Sequence, residues 1–87
     1  MTETTPQDWK IIQRDSIEML EREFSFPNFS DAMIFATKVG EIADAADHHP
    51  EITITWGRVS VIWWSHDSKG VTERDRKLAR LTDRLMI

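Results

Sequence analysis

Two runs of alternating residues on either side of Gly57 constrain the fold of this chain more than any other feature. Ile52 to Trp56 alternates cleanly and Val59 to His66 reads as a return strand, so the segment predicts an antiparallel hairpin. A two-residue turn with glycine first is typical of type II′, which puts the turn at Gly57 and Arg58. This register opposes three apolar pairs: Trp56 with Val59, Ile54 with Val61, and Ile52 with Trp63. Their side chains share one face, which we expect helices to cover.

A helix is predicted before the hairpin. Asn28 or Ser30 can cap its start, and Pro50 cannot continue it. Between them, apolar residues recur at helical spacing: Ala32, Phe35, Val39, Ile42 and Ala46. His48 and His49 therefore lie where this helix ends and the next strand begins.

A second helix is predicted after the hairpin. Thr72 and Asp75 form a capping box shortly after Gly70. The apolar stripe that follows consists of Leu78, Leu81 and Leu85. The chain therefore ends in an amphipathic helix.

The N-terminal part is less regular. We interpret residues 1–8 as a flexible polar leader and residues 9–87 as a single domain. Trp9 to Gln13 fits a short strand. Ile17 to Phe26 is ambiguous, because its first apolar residues have helical spacing and slightly favour a helix, whereas its last two phenylalanines alternate around a serine as in a strand.

Composition excludes several classes of function. The 87 residues contain no cysteine, so packing or self-association must stabilise the fold instead of disulfides. Eleven basic and fifteen acidic residues are dispersed along the chain and give a net charge of −4, which disfavours nucleic-acid binding. No apolar run approaches the roughly 20 residues that span a bilayer, so we expect a cytoplasmic protein that does not bind a membrane.

The three histidines converge if the hairpin is regular. Extending its pairing opposes His49 to His66, with Cβ atoms ~5 Å apart, and His48 is adjacent. Histidine titrates near neutrality, so such a cluster can supply both a proton donor and a proton acceptor. Elimination of water needs both, because one proton must reach the departing hydroxyl and another must leave the nitrogen whose lone pair expels it.

The same residues also have structural interpretations. His48 could be a cation at a helix C-terminus, and His49 with His66 an ordinary cross-strand pair. A metal site of three histidines is a further alternative, but neither spacing resembles a zinc signature, so we expect no metal. Trp63 and Trp64 fall on opposite faces, so one is core, and Trp64 either stacks on a flat heterocycle or lies in a subunit contact.

Four motifs resemble the pterin-4a-carbinolamine dehydratase family. They are Asp47-His48-His49-Pro50-Glu51, Trp56-Gly57-Arg58-Val59, Trp63-Trp64-Ser65-His66 and Gly70-Val71-Thr72-Glu73-Arg74-Asp75. The similarity continues upstream through residues 14–17 and 24–29 and covers the chain from about Trp9 to its end. We expect the usual N-terminal helix of the family to be shortened or absent.

The resemblance implies an α+β fold, a four-stranded antiparallel sheet with two to three helices packed on one face, and decides Ile17 to Phe26 in favour of a strand. It implies assembly into homodimers or homotetramers. It also implies a hydro-lyase that converts 4a-hydroxytetrahydropterin into quinonoid dihydropterin during tetrahydrobiopterin recycling. No cofactor is implied, and the expected functional partner is the aromatic amino acid hydroxylase that forms the substrate.

The family's three active-site histidines correspond to His48, His49 and His66. We assign proton transfer to His48 and His66 and mainly substrate contact to His49. Asp75 matches an acidic position that orients a histidine, and Trp9 an aromatic that lines the pocket. Further residues assigned to substrate binding are Asp47, Pro50, Glu51, Trp64 and Ser65.

Members of this family also include non-catalytic proteins. They act as dimerisation cofactors of a transcription factor or as assembly chaperones, which use the surface of the fold. Retention of all three histidines together with Asp75 favours catalysis over such a role here.

Overall fold

The computed structural model describes residues 5–86, which form four strands and two helices. In chain order these are β1 (Lys10–Arg14), β2 (Ile17–Ser25), α1 (Phe29–Ala46), β3 (Glu51–Thr55), β4 (Arg58–Trp63) and α2 (Glu73–Arg84). The ambiguous segment is a strand, as the resemblance implied. The predicted leader falls partly outside the described residues, since residues 1–4 are not among them.

The strands form one antiparallel sheet in the order β1-β2-β4-β3. Strands β1 and β2 are joined by Asp15 and Ser16, whose φ angles of 54° and 68° are both positive. A two-residue hairpin turn with positive φ at both positions twists in the same sense as its strands. The sheet therefore begins with a tight hairpin that contains no glycine.

Both helices pack on the same face of the sheet, as predicted. The core consists of alternate residues of the two central strands together with the inward residues of the helices. Its largest fully buried members are Trp63, Phe24, Leu20, Val39, Val59 and Val61. The buried residues of α1 are Ala32, Phe35, Ala36, Val39 and Ala43. Ala46, which was predicted to belong to this apolar stripe, is exposed instead.

The caps of both helices match the sequence. Asn28 precedes α1, and its side chain accepts a hydrogen bond of 2.7 Å from the Asp31 N–H. Thr72 precedes α2 in a capping box with Asp75. Capping satisfies backbone groups that the first turn of a helix leaves without an internal partner.

The predicted hairpin register was wrong by two residues. The turn is formed by Trp56 and Gly57, and the ladder pairs Thr55 with Arg58 and Glu51 with Ile62. Trp56, the first central residue of this turn, does not have a positive φ, so the turn is not type II′. Because the register is shifted by an even number of residues, the predicted apolar residues still face the helices. The exception is Trp56, which lies in the turn and is 70% exposed.

Gly57 is required by a close backbone approach. Its carbonyl accepts a hydrogen bond of 2.8 Å from the Phe26 N–H, and a Cβ on it would lie 2.7 Å from the Phe26 carbonyl oxygen. This contact fixes the hairpin tip to the end of β2. Gly57 is therefore required for its contact with Phe26. Because it was interpreted as the first residue of a type II′ turn, the predicted register was shifted by two residues.

Candidate active site

His48 is fixed by the end of α1. Asp47 adopts a left-handed conformation with φ of 50°, and the His48 N–H donates to the Ala43 carbonyl at 3.1 Å. The His48 ring is 8% exposed and stacks on Trp63, with ring centroids 5.9 Å apart and an interplanar angle of 16°. The chain reversal at Asp47 therefore places the His48 imidazole at the edge of the core.

Asp75 holds this imidazole from the first turn of α2. Its Oδ1 lies 2.6 Å from Nε2 of His48, and its side chain is fully buried. Its Oδ2 accepts bonds from the Ser65 hydroxyl at 2.7 Å, the Thr72 N–H at 2.9 Å and the Thr72 hydroxyl at 3.0 Å. A buried carboxyl group surrounded by donors fits an ionised, acceptor-only carboxylate.

The two ring nitrogens of His48 differ in their hydrogen bonds. A carboxylate accepts hydrogen bonds, so Nε2 of His48 carries the proton that it shares with Asp75. Nδ1 has no hydrogen bond to any residue in the described part of the chain. A neutral imidazole in this tautomer has its lone pair on Nδ1.

His49 lies in a different environment. Its side chain is 59% exposed, and its Nε2 lies 2.9 Å from Oδ1 of Asp44 on the last turns of α1. Asp44 belongs to none of the motifs from which the site was predicted. The available signal was its position five residues before His49 across a helix end, where a short acidic side chain can reach back to the imidazole.

His66 is exposed and contacts Trp64, with ring centroids 4.7 Å apart. It begins a tight turn closed by backbone hydrogen bonds between Ser65 and Gly70. Lys69 has a φ of 54° in this turn. As predicted, the two tryptophans divide between the faces of the sheet, since Trp63 is fully buried whereas Trp64 is half-buried.

The three histidines differ in their contacts. Within residues 5–86, no hydrogen bond or ring contact joins two of them. The predicted pairing of His49 with His66 followed from the wrong register. Continuing the observed ladder instead opposes Trp64 to His49 and Ser65 to His48. That register explains why Ser65 and His48 meet on the same carboxylate.

Trp9 lies at the opposite end of α2 from Asp75. Its ring packs edge-on against Phe24, and its Nε1–H donates to Oδ1 of Asp83 at 2.9 Å. Asp83 is eight residues beyond Asp75, which corresponds to about 12 Å along a helix. The contacts of Trp9 are therefore those of a core residue, and its assignment to a pocket stays a prediction.

The remaining predicted substrate contacts lie around the start of β3. The Asp47 side chain is exposed, and Pro50 is half-buried where the strand begins. Glu51 forms an ion pair of 2.8 Å with Arg14, which joins the two edge strands and, through the hydrogen bond, raises the pKa of Arg14. Ser65 is fully buried behind Asp75.

Residues 5–86 hold no group of three His, Cys, Asp or Glu side chains that could bind a metal ion. In the same part of the chain, no helix is long and apolar enough to cross a membrane.

The fold and the contact of His48 with Asp75 define a small α+β protein with a buried histidine–carboxylate pair. The family model of pterin 4 alpha carbinolamine dehydratase matches residues 1–85. The chain belongs to this family.

Curated relatives agree with the family. A protein of Photobacterium profundum is 50% identical over 78 residues, which are 90% of this chain and 70% of the relative. A protein of Nitrosococcus oceani is 44% identical over 79 residues, which are 91% of this chain and 70% of the relative. Both bear the name pterin-4-alpha-carbinolamine dehydratase as a provisional assignment.

Two solved structures share the fold. The transcriptional coactivator/pterin dehydratase of Brucella melitensis has a TM-score of 0.82 and 35% identity, over 91% of this chain and 82% of its own. A pterin dehydratase-like protein identified as a RuBisCO assembly factor in the alpha-carboxysome has a TM-score of 0.76 and 18% identity, over 92% of this chain and 90% of its own. The second likeness concerns the fold alone.

Proposed function

We propose that this chain is a 4a-hydroxytetrahydropterin dehydratase that forms quinonoid dihydropterin by histidine acid–base catalysis. The observation that carries the proposal is the 2.6 Å contact between His48 and the buried carboxylate of Asp75, which leaves Nδ1 of His48 without a partner in residues 5–86. Family membership supplies the substrate class. We propose that the reaction takes place in the cytoplasm.

The reaction needs one proton acceptor and one proton donor. Breaking the bond between C4a and the hydroxyl oxygen is assisted by the lone pair of N5, which becomes the new double bond between C4a and N5. The N5 proton goes to a base, and a proton from an acid converts the departing hydroxyl into water. Positioned acid and base groups each contribute roughly 10²- to 10⁴-fold to such a step.

His48 is the better base, since Asp75 fixes its tautomer and stabilises its charged form. His66 is the proposed acid, because it is exposed next to Trp64, whose half-buried ring offers a face to a flat heterocycle. His49, held by Asp44 at 2.9 Å, is proposed to contact the substrate. These roles are compatible with a site open to solvent on one side.

The test is the rate of dehydration of enzymatically generated 4a-hydroxytetrahydropterin, followed by ultraviolet absorbance. We expect His48→Ala and His66→Ala to lower kcat at least tenfold and His49→Ala to act mainly on KM. Lys38→Ala, an exposed change on α1, is the control and should leave both constants unchanged. Absence of acceleration by folded wild-type protein would refute the catalytic proposal.

A binding function is the second candidate. Phe29, Met33 and Ile34 of α1 are 48%, 40% and 55% exposed, which is unusual for large apolar side chains on one helix face. We propose that this face contributes to a homodimer or homotetramer or to a contact with another protein. Sedimentation of the wild type and of Ile34→Glu tests it, and the same mass for both at every concentration would argue against self-assembly through this face.

A further inference from the structure

Two hydroxyl groups lie behind Asp75, on the side away from His48. The Ser65 hydroxyl is 2.7 Å from Oδ2 of Asp75 and 3.0 Å from the Thr72 hydroxyl. Ser65 and Asp75 are both fully buried. All contacts of these hydroxyls with Asp75 are made to Oδ2, whereas Oδ1 contacts His48.

Ser65 is itself rigidly placed. Its backbone N–H donates to the Gly70 carbonyl at 2.8 Å, and the Gly70 N–H donates back to its carbonyl at 3.3 Å. Thr72 is held as the N-cap of α2. Two donors from separate segments therefore prevent rotation of the carboxylate, which two side-chain torsions would otherwise allow.

We propose that Ser65 is a positioning residue that acts on His48 through Asp75. By occupying Oδ2 together with Thr72, it reserves Oδ1 for the Nε2–H of His48 and fixes the tautomer in which Nδ1 accepts the proton. A fully buried hydroxyl does not reach a ligand at the surface, so this role replaces the substrate contact expected for Ser65 from the sequence. The kinetic part of this inference rests on the proposed dehydratase function.

The tautomer is measured directly, without substrate. Long-range proton–nitrogen correlation spectra of the imidazoles, recorded at mildly alkaline pH, distinguish protonated from unprotonated ring nitrogens. We expect His48 of the wild type to be protonated at Nε2. In Ser65→Ala the ratio of the two tautomers should fall about fivefold, the effect of losing one hydrogen bond of about 1 kcal/mol. Ser65→Thr keeps the hydroxyl and should restore the wild-type ratio.

Kinetics supply the second measurement. Ser65→Ala should lower kcat about tenfold with KM changed less than twofold, and Ser65→Thr should recover kcat to within about threefold of the wild type. Thr72→Val, which removes the other hydroxyl, keeps the test decisive if Ser65→Ala does not fold. It should shift the tautomer ratio in the same direction.

The outcomes separate this inference from the proposed function. An unchanged His48 tautomer ratio in folded Ser65→Ala overturns the inference, as does a rise in KM at constant kcat, which would indicate a substrate contact. A shifted ratio in a protein without dehydratase activity supports the positioning role and refutes the dehydratase.

Discussion

Replacing Gly57 by alanine should destabilise the protein because of the backbone contact at the hairpin tip. The added Cβ would lie 2.7 Å from the Phe26 carbonyl oxygen, whereas ordinary van der Waals contact begins at 3.4 Å, so about 0.7 Å of displacement is required. Both partners are backbone and share the 2.8 Å hydrogen bond from the Phe26 N–H to the Gly57 carbonyl. Overpacking of this kind costs about 1–3 kcal/mol.

The matched control is Gly40→Ala in the interior of α1. A Cβ there meets no atom within 4 Å, and φ is not positive, so the substitution should stabilise the helix by about 0.5–1 kcal/mol. The two variants, which add the same methyl group, therefore have opposite expected signs.

Thermal unfolding followed by circular dichroism at one protein concentration measures both. For a domain of this size about 1 kcal/mol corresponds to roughly 4–8 °C in Tm, so Gly57→Ala should melt about 10 °C below the wild type and Gly40→Ala a few degrees above it. A Gly57→Ala protein at least as stable as the wild type would refute the steric reasoning. Stabilisation by Gly40→Ala would not change this conclusion, because that variant does not test the contact between Gly57 and Phe26.

Two further predictions concern α2. Asp83→Ala removes the acceptor of the 2.9 Å hydrogen bond from Trp9 and of the 2.7 Å ion pair with Arg22. The free energy of unfolding, measured by urea titration, should therefore fall by about 2 kcal/mol. An unchanged urea midpoint would contradict a stabilising role for Asp83. Hydrogen bonds from Arg76 and Arg80 lower the pKa of Glu73, so this carboxylate stabilises the fold above the pKa of the unfolded chain, and the contribution disappears as pH falls through its lower folded value. Glu73→Gln should therefore cost stability at pH 7 but little at pH 2, and equal effects at both would argue against the linkage.

Local signals made most of the fold predictable. Asn28, Thr72 and Pro50 marked the helix boundaries because caps and proline act within a few residues of themselves. The strand at Ile17 to Ser25 was not predictable from spacing, since helical and alternating patterns overlapped there. The hairpin register depended on the approach of Gly57 to Phe26, a contact between residues 31 apart that composition of the turn does not encode.

The site was predictable in its residue types more than in its contacts. The motif indicated His48, Ser65 and Asp75, but the full burial of Ser65 is decided by the whole fold and was not visible in the motif. The capping box of Asp75 with Thr72 was visible in the local sequence, whereas its contact with a histidine 27 residues away was indicated only by the family resemblance. Asp44 was missed because its contact crosses a helix end.

The capping bond of Thr72 has a consequence for experiments in the absence of any ligand. Its amide proton is donated to the same carboxylate that holds His48, so this amide exchanges with solvent only when the first turn of α2 opens. Such an opening also releases the imidazole. Hydrogen exchange at this single amide therefore reports how often the acid–base pair comes apart in the folded protein.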